Sequence, residues 1–326
     1  MTPVDGSEFA LRGQGEDYAR LLNLARARKL PHALVIEGGR GTGKSTAAKR
    51  MAAALLGDGD VTTAARISSG NHPDLYLLAV PEDKTEIPVE SVRELIEKLQ
   101  MRPMEGGARV AIVDPADRLN EQGQNALLKT LEEPGEDAFL ILVVDRPEAL
   151  LDTVRSRCAR LRIRALGTAH LAGLLRADPA IPAADVQRAI DGCGGSLGLA
   201  RRLLDPDLRP LSRAIETFLL APGPVAVRPA AEVLCGSGTA GRAANDERAR
   251  LVLFLLRSRL RIQLDGALAA SADDGYLSAR TESCLTALDA VLAAEADLDL
   301  GIPQSQVIEG LLLRLCGSSP LGGQSA

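Results

Sequence analysis

The stretch IEGGRGTGKST, residues 36–46, matches the pattern G-x-x-x-x-G-K-[ST] at every fixed position. Before it, the apolar run 33–36 predicts a short buried strand, and after it the alanine-rich run 44–56 predicts a helix. Glycines let a backbone wrap around an anion, and the N-terminus of the following helix directs N–H groups and a positive dipole at that anion. The stretch therefore predicts a phosphate-binding loop between a strand and a helix.

Such a loop predicts a site for ATP or ADP with Mg²⁺. Lys44 would reach the outer phosphates, and the Ser45 hydroxyl would be a ligand of Mg²⁺. A second metal-assisting group is expected at Asp114, because an apolar strand at 110–113 ends there, as in the Walker B pattern. The predicted nucleotide-binding residues are Gly38, Gly41, Thr42, Gly43, Lys44, Ser45, Thr46 and Asp114.

The alternation of strands and helices indicates the fold of the first half. Apolar runs typical of buried strands lie at 33–36, 75–80, 110–113, 139–144 and 161–163, and helical runs lie at 45–56, 89–99, 121–131 and 147–154. This order predicts an α/β module with a parallel sheet covered by helices on both faces. Ligands of such sheets bind at the carboxyl ends of the strands, where the loop and Asp114 both fall.

The second half of the chain is predicted to be entirely helical. Three short helices at 168–176, 184–191 and 196–204 are too small for an independent domain and suggest a lid. Five leucine- and alanine-rich helices follow at 211–220, 226–234, 245–264, 277–292 and 303–315. We therefore predict three parts: an α/β domain at 1–164, a helical lid at 165–207 and an all-α domain at 208–326.

Composition excludes several classes of function. The chain of 326 residues carries a net charge of −5, 2% aromatic residues and no Trp, which argues against nucleic acid as its main partner. No apolar run approaches a membrane span and the first residues lack a signal-peptide core, so we expect a cytoplasmic protein without membrane contact. The five cysteines are scattered without C-x-x-C spacing, which predicts buried reduced thiols rather than disulfides or a zinc site.

The residue after Asp114 argues against ATP hydrolysis. Hydrolytic phosphate-loop proteins of this pattern place a Glu there to orient the attacking water, whereas this chain has Pro115. Asp117 is a weaker candidate for that base, and we favour a cap or a surface acid for it.

Several segments, in chain order, resemble motifs of bacterial clamp-loader subunits, which are AAA+ proteins. The most specific is LNEQGQNALLKTLEEP at 119–134, which is similar to their LN-x4-NALLKTLEEP segment. The others are LRGQ at 11–14, PHA at 31–33, GNHPD at 70–74 and SRC at 156–158. The resemblance implies an AAA+ module, a three-helix lid and a helical collar. The collar would assemble a hetero-oligomeric ring with gamma/tau and delta subunits, which act on the sliding clamp and primed DNA.

Three positions separate the two kinds of subunit in this family, the ATP-hydrolysing motor (gamma/tau) and the stator (delta-prime). Pro115 replaces the base, and the sensor-1 position, polar in the motor, aligns with Val144 or a residue next to it. Gly198 replaces the sensor-2 arginine that would contact the γ-phosphate from the lid. We therefore predict the stator kind, which binds nucleotide at most without hydrolysing it. The alternatives are an active motor and, more weakly, a nucleotide kinase, which has no use for the collar.

Two more features follow from the resemblance. Family members usually carry a four-cysteine zinc module before the HPD turn, but residues 57–71 contain no cysteine, so no zinc is expected. The resemblance implies that the arginine of the SRC motif, Arg157, reaches the ATP of a neighbouring subunit. There it would stabilise transition-state charge in trans. A surface salt bridge is the competing interpretation, and Arg155 is the adjacent alternative.

Overall fold

The computed structural model describes residues 14–57, 61–81, 84–105, 107–179, 181–236, 242–270 and 278–317. The first three residues of the LRGQ segment and the predicted start of a helix at 277 lie outside these ranges.

The five predicted strands form one parallel sheet in the order β2-β3-β4-β1-β5. Their bounds are β1 (Ala33–Glu37), β2 (Leu75–Leu78), β3 (Arg109–Val113), β4 (Ala138–Val144) and β5 (Ala159–Arg162). Strand β1 therefore lies between β4 and β5, and its last residue, Glu37, pairs with Val144 at the end of β4. The carboxyl ends of β1, β3 and β4 consequently meet at one edge of the sheet.

Helices cover both faces of this sheet, as the alternating pattern predicts. They are α1 (Gly15–Arg26), α2 (Lys44–Leu56), α3 (Val61–Ser68), α4 (Val89–Gln100), α5 (Glu121–Glu132) and α6 (Asp152–Arg155). Leu34 and Ile36 of β1 belong to a core that includes residues of α1, α2 and α3, whereas Ala33 and Val35 belong to a core with residues of α4, α5 and α6. Successive strand residues point to opposite faces, so one short run supplies both cores.

The predicted helix at 147–154 is wrong. Pro147–Ala149 forms a 3-10 turn, and an α-helix is present only at Asp152–Arg155. The side chain of Gln124 accounts for the break, because its Oε1 accepts the N–H of Leu151 at 2.7 Å and its Nε2 donates to the Ala149 carbonyl at 3.0 Å. These backbone groups would otherwise be available to helical hydrogen bonds.

Helices α1 and α3 were not among the predicted elements. In α1 the buried residues are Tyr18, Leu21 and Ala25, which fall on one helical face. In α3, Ile67 enters the same core. Both helices follow the ordinary amphipathic pattern, so periodicity alone is enough to find α1.

The second half is helical, as predicted. Its helices are α7 (Thr168–Arg176), α8 (Ala183–Cys193), α9 (Leu197–Leu203), α10 (Arg209–Leu220), α11 (Pro224–Cys235), α12 (Arg242–Ala270), α13 (Ala279–Asp299) and α14 (Gln304–Gly317). Helices α12 and α13 extend well beyond the predicted bounds. Within the described ranges, no helix is both long enough and apolar enough to span a membrane.

Packing divides the chain into two compact units. The first runs to Leu174 and includes Gly195–Gly198, and the second comprises Leu175–Gly194 and the chain from Leu199 onward. Helix α8 packs against α12 in the second unit, and Arg209 at the start of α10 lies 3.7 Å from the carboxylate of Asp185 in α8. The three-part division at 164 and 207 remains a prediction.

Candidate functional site: the phosphate loop

Residues 38–43 connect β1 to α2, as a phosphate-binding loop requires. Gly43 precedes the first residue of α2 with a φ of 99°, in the region that favours glycine. A Cβ atom on Gly38 would lie 2.3 Å from the carbonyl oxygen of Ile163, so that position has no room for a side chain. Strand β1 therefore leads directly into a loop in which close packing requires Gly38 and backbone conformation favours Gly43.

Lys44, the first residue of α2, is held by two partners from its own chain. Its Nζ donates to the Gly39 carbonyl at 2.8 Å and lies 2.6 Å from Oδ1 of Asp145. The side chain of Lys44 is only 5% exposed, whereas that of Asp145 is 40% exposed. Thr42 also bonds through its hydroxyl to the Gly39 carbonyl at 2.8 Å, so this one oxygen organises the loop.

Asp114 follows β3 and lies beside the start of α2. Its carboxylate accepts a hydrogen bond from the Ser45 side chain. Burial raises the pKa of Asp114, against the opposing effects of the Ser45 hydrogen bond and the Lys44 charge. Ser45 is exposed and Thr46 half-buried in the first turn of α2. The structure thus brings the predicted Mg²⁺ ligands, Ser45 and Asp114, into direct contact.

Asp117 is neither a helix cap nor a surface acid. Its carboxylate is 6% exposed, accepts the backbone N–H of Asp145 at 3.3 Å and lies 3.8 Å from Nε of Arg146. The cap of α5 is Asn120, whose side chain accepts the N–H of Gly123 at 2.8 Å. Burial raises the pKa of Asp117, and the nearby Asp145 carboxylate raises it further. The Asp117 carboxylate thus stabilises the backbone just after β4.

The residue directly after β4 contacts the loop, and the sequence did not single out this role for it. Val144, the predicted sensor-1 position, is fully buried in the apolar core. The next residue, Asp145, contacts Lys44 instead. A carboxylate directly after a buried strand was the available indication, and strand order makes it decisive, since β4 pairs with β1 and brings Asp145 level with the start of the loop.

Gly198 lies against the phosphate loop. A Cβ atom at Gly198 would lie 3.4 Å from the Gly41 carbonyl oxygen. Two residues earlier, the Ser196 hydroxyl donates to that same oxygen at 2.5 Å. Ser196, just before α9, and Gly198 therefore contact the loop through a hydroxyl and a glycine, without the guanidinium that a sensor-2 arginine would bring.

Arg157 follows α6 and forms a surface ion pair. Its Nε and Nη2 donate to Oε1 of Glu132 at 2.9 and 2.5 Å, and its Nη1 donates to the Thr153 carbonyl at 2.9 Å. The side chains of Arg157 and Glu132 are 37% and 53% exposed. Arg155 instead pairs with Asp152 on its own helix and is 28% exposed. The role of Arg157 in trans remains a prediction.

Other residues of the clamp-loader-like motifs form hydrogen bonds that connect distant segments of the first unit. The Gln14 amide exchanges two hydrogen bonds of 2.8 Å with the backbone of Arg164, and His32 Nε2 lies 2.9 Å from the Leu131 carbonyl. Asp74 of the HPD turn is buried and accepts the backbone N–H groups of Met104 and Glu105 at 2.8 and 2.9 Å. These side chains hold the loops around the sheet in place.

Comparisons with known proteins agree with these observations. The model of the family described as DNA polymerase III, delta subunit, matches residues 13–167. Residues 13–167 are thus similar to the DNA polymerase III delta subunit family. DNA polymerase III subunit delta' of Pseudomonas aeruginosa is 35% identical over 181 residues, which make up 53% of this chain and 55% of that protein. The Bacillus subtilis delta' subunit is 36% identical over 153 residues, 45% of this chain and 46% of that protein.

The structure itself confirms the predicted parallel sheet covered by helices, with a phosphate loop after β1, and the helical second half. The matched region covers only about half the length of these delta' relatives. DNA polymerase III subunit tau/gamma of Haemophilus influenzae is also similar: it is 32% identical over 175 residues, 50% of this chain and 25% of that protein.

A solved structure of a gamma subunit-related protein from Thermotoga maritima aligns with 92% of this chain and 99% of its own. Its TM-score is 0.48 at 16% identity, which is too loose a likeness to support an argument.

Proposed function

We propose that this chain is the stator subunit, of the delta-prime kind, of a bacterial DNA polymerase III clamp loader. In that role it binds ATP or ADP with Mg²⁺ at most, does not hydrolyse ATP, and helps gamma/tau and delta subunits to load the sliding clamp onto primed DNA. Its AAA+ domain joins the ring beside a motor subunit, and Arg157 acts on that neighbour's ATP.

The observation that carries this proposal is the lack of a general base beside an intact phosphate loop, in a chain similar to the delta subunit family. No general base follows Asp114, because the next residue is Pro115. The nearest substitute, Asp117, is engaged by the backbone of Asp145 and lies near Arg146. A water held near the γ-phosphate would thus lack the carboxylate that orients it for attack.

Nucleotide binding is supported by the residues that remain. Backbone N–H groups at the start of α2 and the Lys44 ammonium suit phosphates, and the contact between Ser45 and Asp114 suits Mg²⁺, which prefers hydroxyl and carboxylate oxygens. Bound Mg²⁺ would supply positive charge to the phosphates.

An active motor of the gamma/tau kind is the competing candidate. It is favoured by the intact loop sequence and by the similarity to tau/gamma of Haemophilus influenzae. Both candidates predict assembly with other clamp-loader subunits, and they differ in whether this chain consumes ATP.

Assembly is the first expected result. When the purified chain is mixed with gamma/tau and delta subunits of its own organism, we expect all three to elute together in size-exclusion chromatography. The control omits this chain and shows whether the other two form the same species without it. Elution of this chain as a separate peak, beside a gamma/tau–delta complex, would contradict the proposed function.

A further inference from the structure

The ammonium group of Lys44, at the end of the phosphate loop, is already paired with a carboxylate of the same chain. Lys44 has three N–H donors, and two of them already have oxygen partners, the Gly39 carbonyl and the Asp145 carboxylate. Because Lys44 is 5% exposed, little water reaches its ammonium group. The charge that would attract a nucleotide phosphate is therefore largely neutralised within the chain.

The contact between Lys44 and Asp145 is fixed by the fold. Glu37 at the end of β1 pairs with Val144 at the end of β4, so Asp145 stands level with the first loop residue. The Asp117 carboxylate, itself buried, accepts the backbone N–H of Asp145 and fixes the chain at this point. Strand pairing and the buried Asp117 carboxylate thus hold the exposed Asp145 beside Lys44.

We propose that Asp145 is a built-in counter-ion that competes with nucleotide phosphate for Lys44 and so sets the affinity of the loop for nucleotide. A phosphate that approaches Lys44 must share the ammonium with Asp145 or displace it. The carboxylate is 40% exposed, so it has room to turn toward solvent. Either outcome costs free energy, because the carboxylate repels the phosphate or loses its partner. The inference rests on the proposed function only in assuming that this loop takes a nucleotide.

The test is the affinity for a fluorescent ADP analogue, measured by titration in EDTA so that no metal charge masks the competition. The change Asp145→Asn keeps the shape of the side chain and removes its charge. We expect the dissociation constant to fall roughly tenfold, which equals about 1.4 kcal/mol.

Two comparisons make the result specific to the Lys44 contact. Asp117→Asn removes a neighbouring negative charge but keeps an oxygen for the Asp145 N–H, so we expect a much smaller change. In a Lys44→Ala background, Asp145→Asn should bring no tightening, because the competing partner is already absent. Thermal melting checks that each variant is folded, and Asp145→Ser serves as a second neutral variant.

Unchanged or weaker binding by folded Asp145→Asn and Asp145→Ser would overturn the inference. Equal tightening in the Lys44→Ala background, or in Asp117→Asn, would also overturn it, since the effect would then be general electrostatics. Absence of binding by all variants would do the same. None of these outcomes bears on assembly with gamma/tau and delta, which tests the proposed function separately.

Discussion

Replacing Arg157 with alanine should slow ATP hydrolysis by the neighbouring motor subunit while leaving this chain folded and assembled. A trans arginine contributes about 10³–10⁵ in rate in GTPase systems. A clamp loader has several ATP sites and only one would receive Arg157, so the change in the whole complex will be smaller. The measurement is DNA- and clamp-stimulated ATPase activity of the reconstituted complex, with a melting curve of the variant alone.

Glu132→Gln is the matched control for this change. Both variants disrupt the exposed pair between Arg157 and Glu132, which is worth about 0–1 kcal/mol of stability as a surface salt bridge. If Arg157 acts on the neighbour's phosphates, Glu132→Gln should retain most of the ATPase activity. Equal activity of the Arg157→Ala complex and the unchanged complex, or equal losses in both variants, would reduce Arg157 to a structural residue.

Removing residues 208–326 should abolish assembly, because the helices of this region are proposed to form the collar of the ring. The structure adds that this truncation also strips α8 of its packing partner α12. A milder variant is therefore needed. Leu285 and Leu292 of α13 are seven residues apart on one helical face and are 41% and 51% exposed. Changing both to serine should weaken assembly at least tenfold without unfolding the chain, at about 1.4 kcal/mol per factor of ten.

Leu77→Ser provides the control for this pair, because Leu77 is 45% exposed but lies on β2 in the first unit. We expect that variant to assemble normally in a co-elution titration with gamma/tau and delta. Undiminished assembly of both the truncated chain and the double serine variant would refute the collar assignment.

The sheet was predictable because its strands are nearly continuous apolar runs, as parallel sheets buried on both faces require. The run FLILVV at 139–144 defines β4 almost to its ends. The helix predicted at 147–154 was wrong because the side chain of Gln124 forms hydrogen bonds with the Ala149 carbonyl and the Leu151 N–H. Gln124 lies more than twenty positions earlier in the chain. The pattern of apolar and polar residues within 147–154 cannot predict a hydrogen bond to such a distant residue.

The candidate site was predictable only in part, for the same physical reason. The loop and Ser45 belong to a motif with fixed spacing, and Asp114 follows another strand of the predicted parallel sheet, so the sequence places all of them at the same edge. The pairing of Lys44 with Asp145 depends on β4 lying next to β1, which the alternation of strands and helices does not specify. Asp117 was misjudged because its burial depends on the same strand end.

The most direct test of the central claim, that this subunit does not hydrolyse ATP, is steady-state ATP turnover of the purified chain with Mg²⁺. The same measurement on Lys44→Ala supplies the background. We expect the two proteins to give the same rate, because Asp114 is followed by Pro115 and not by a general base. A turnover of about one per second that Lys44→Ala abolishes, a rate ordinary for enzymes, would contradict the stator function and identify a motor.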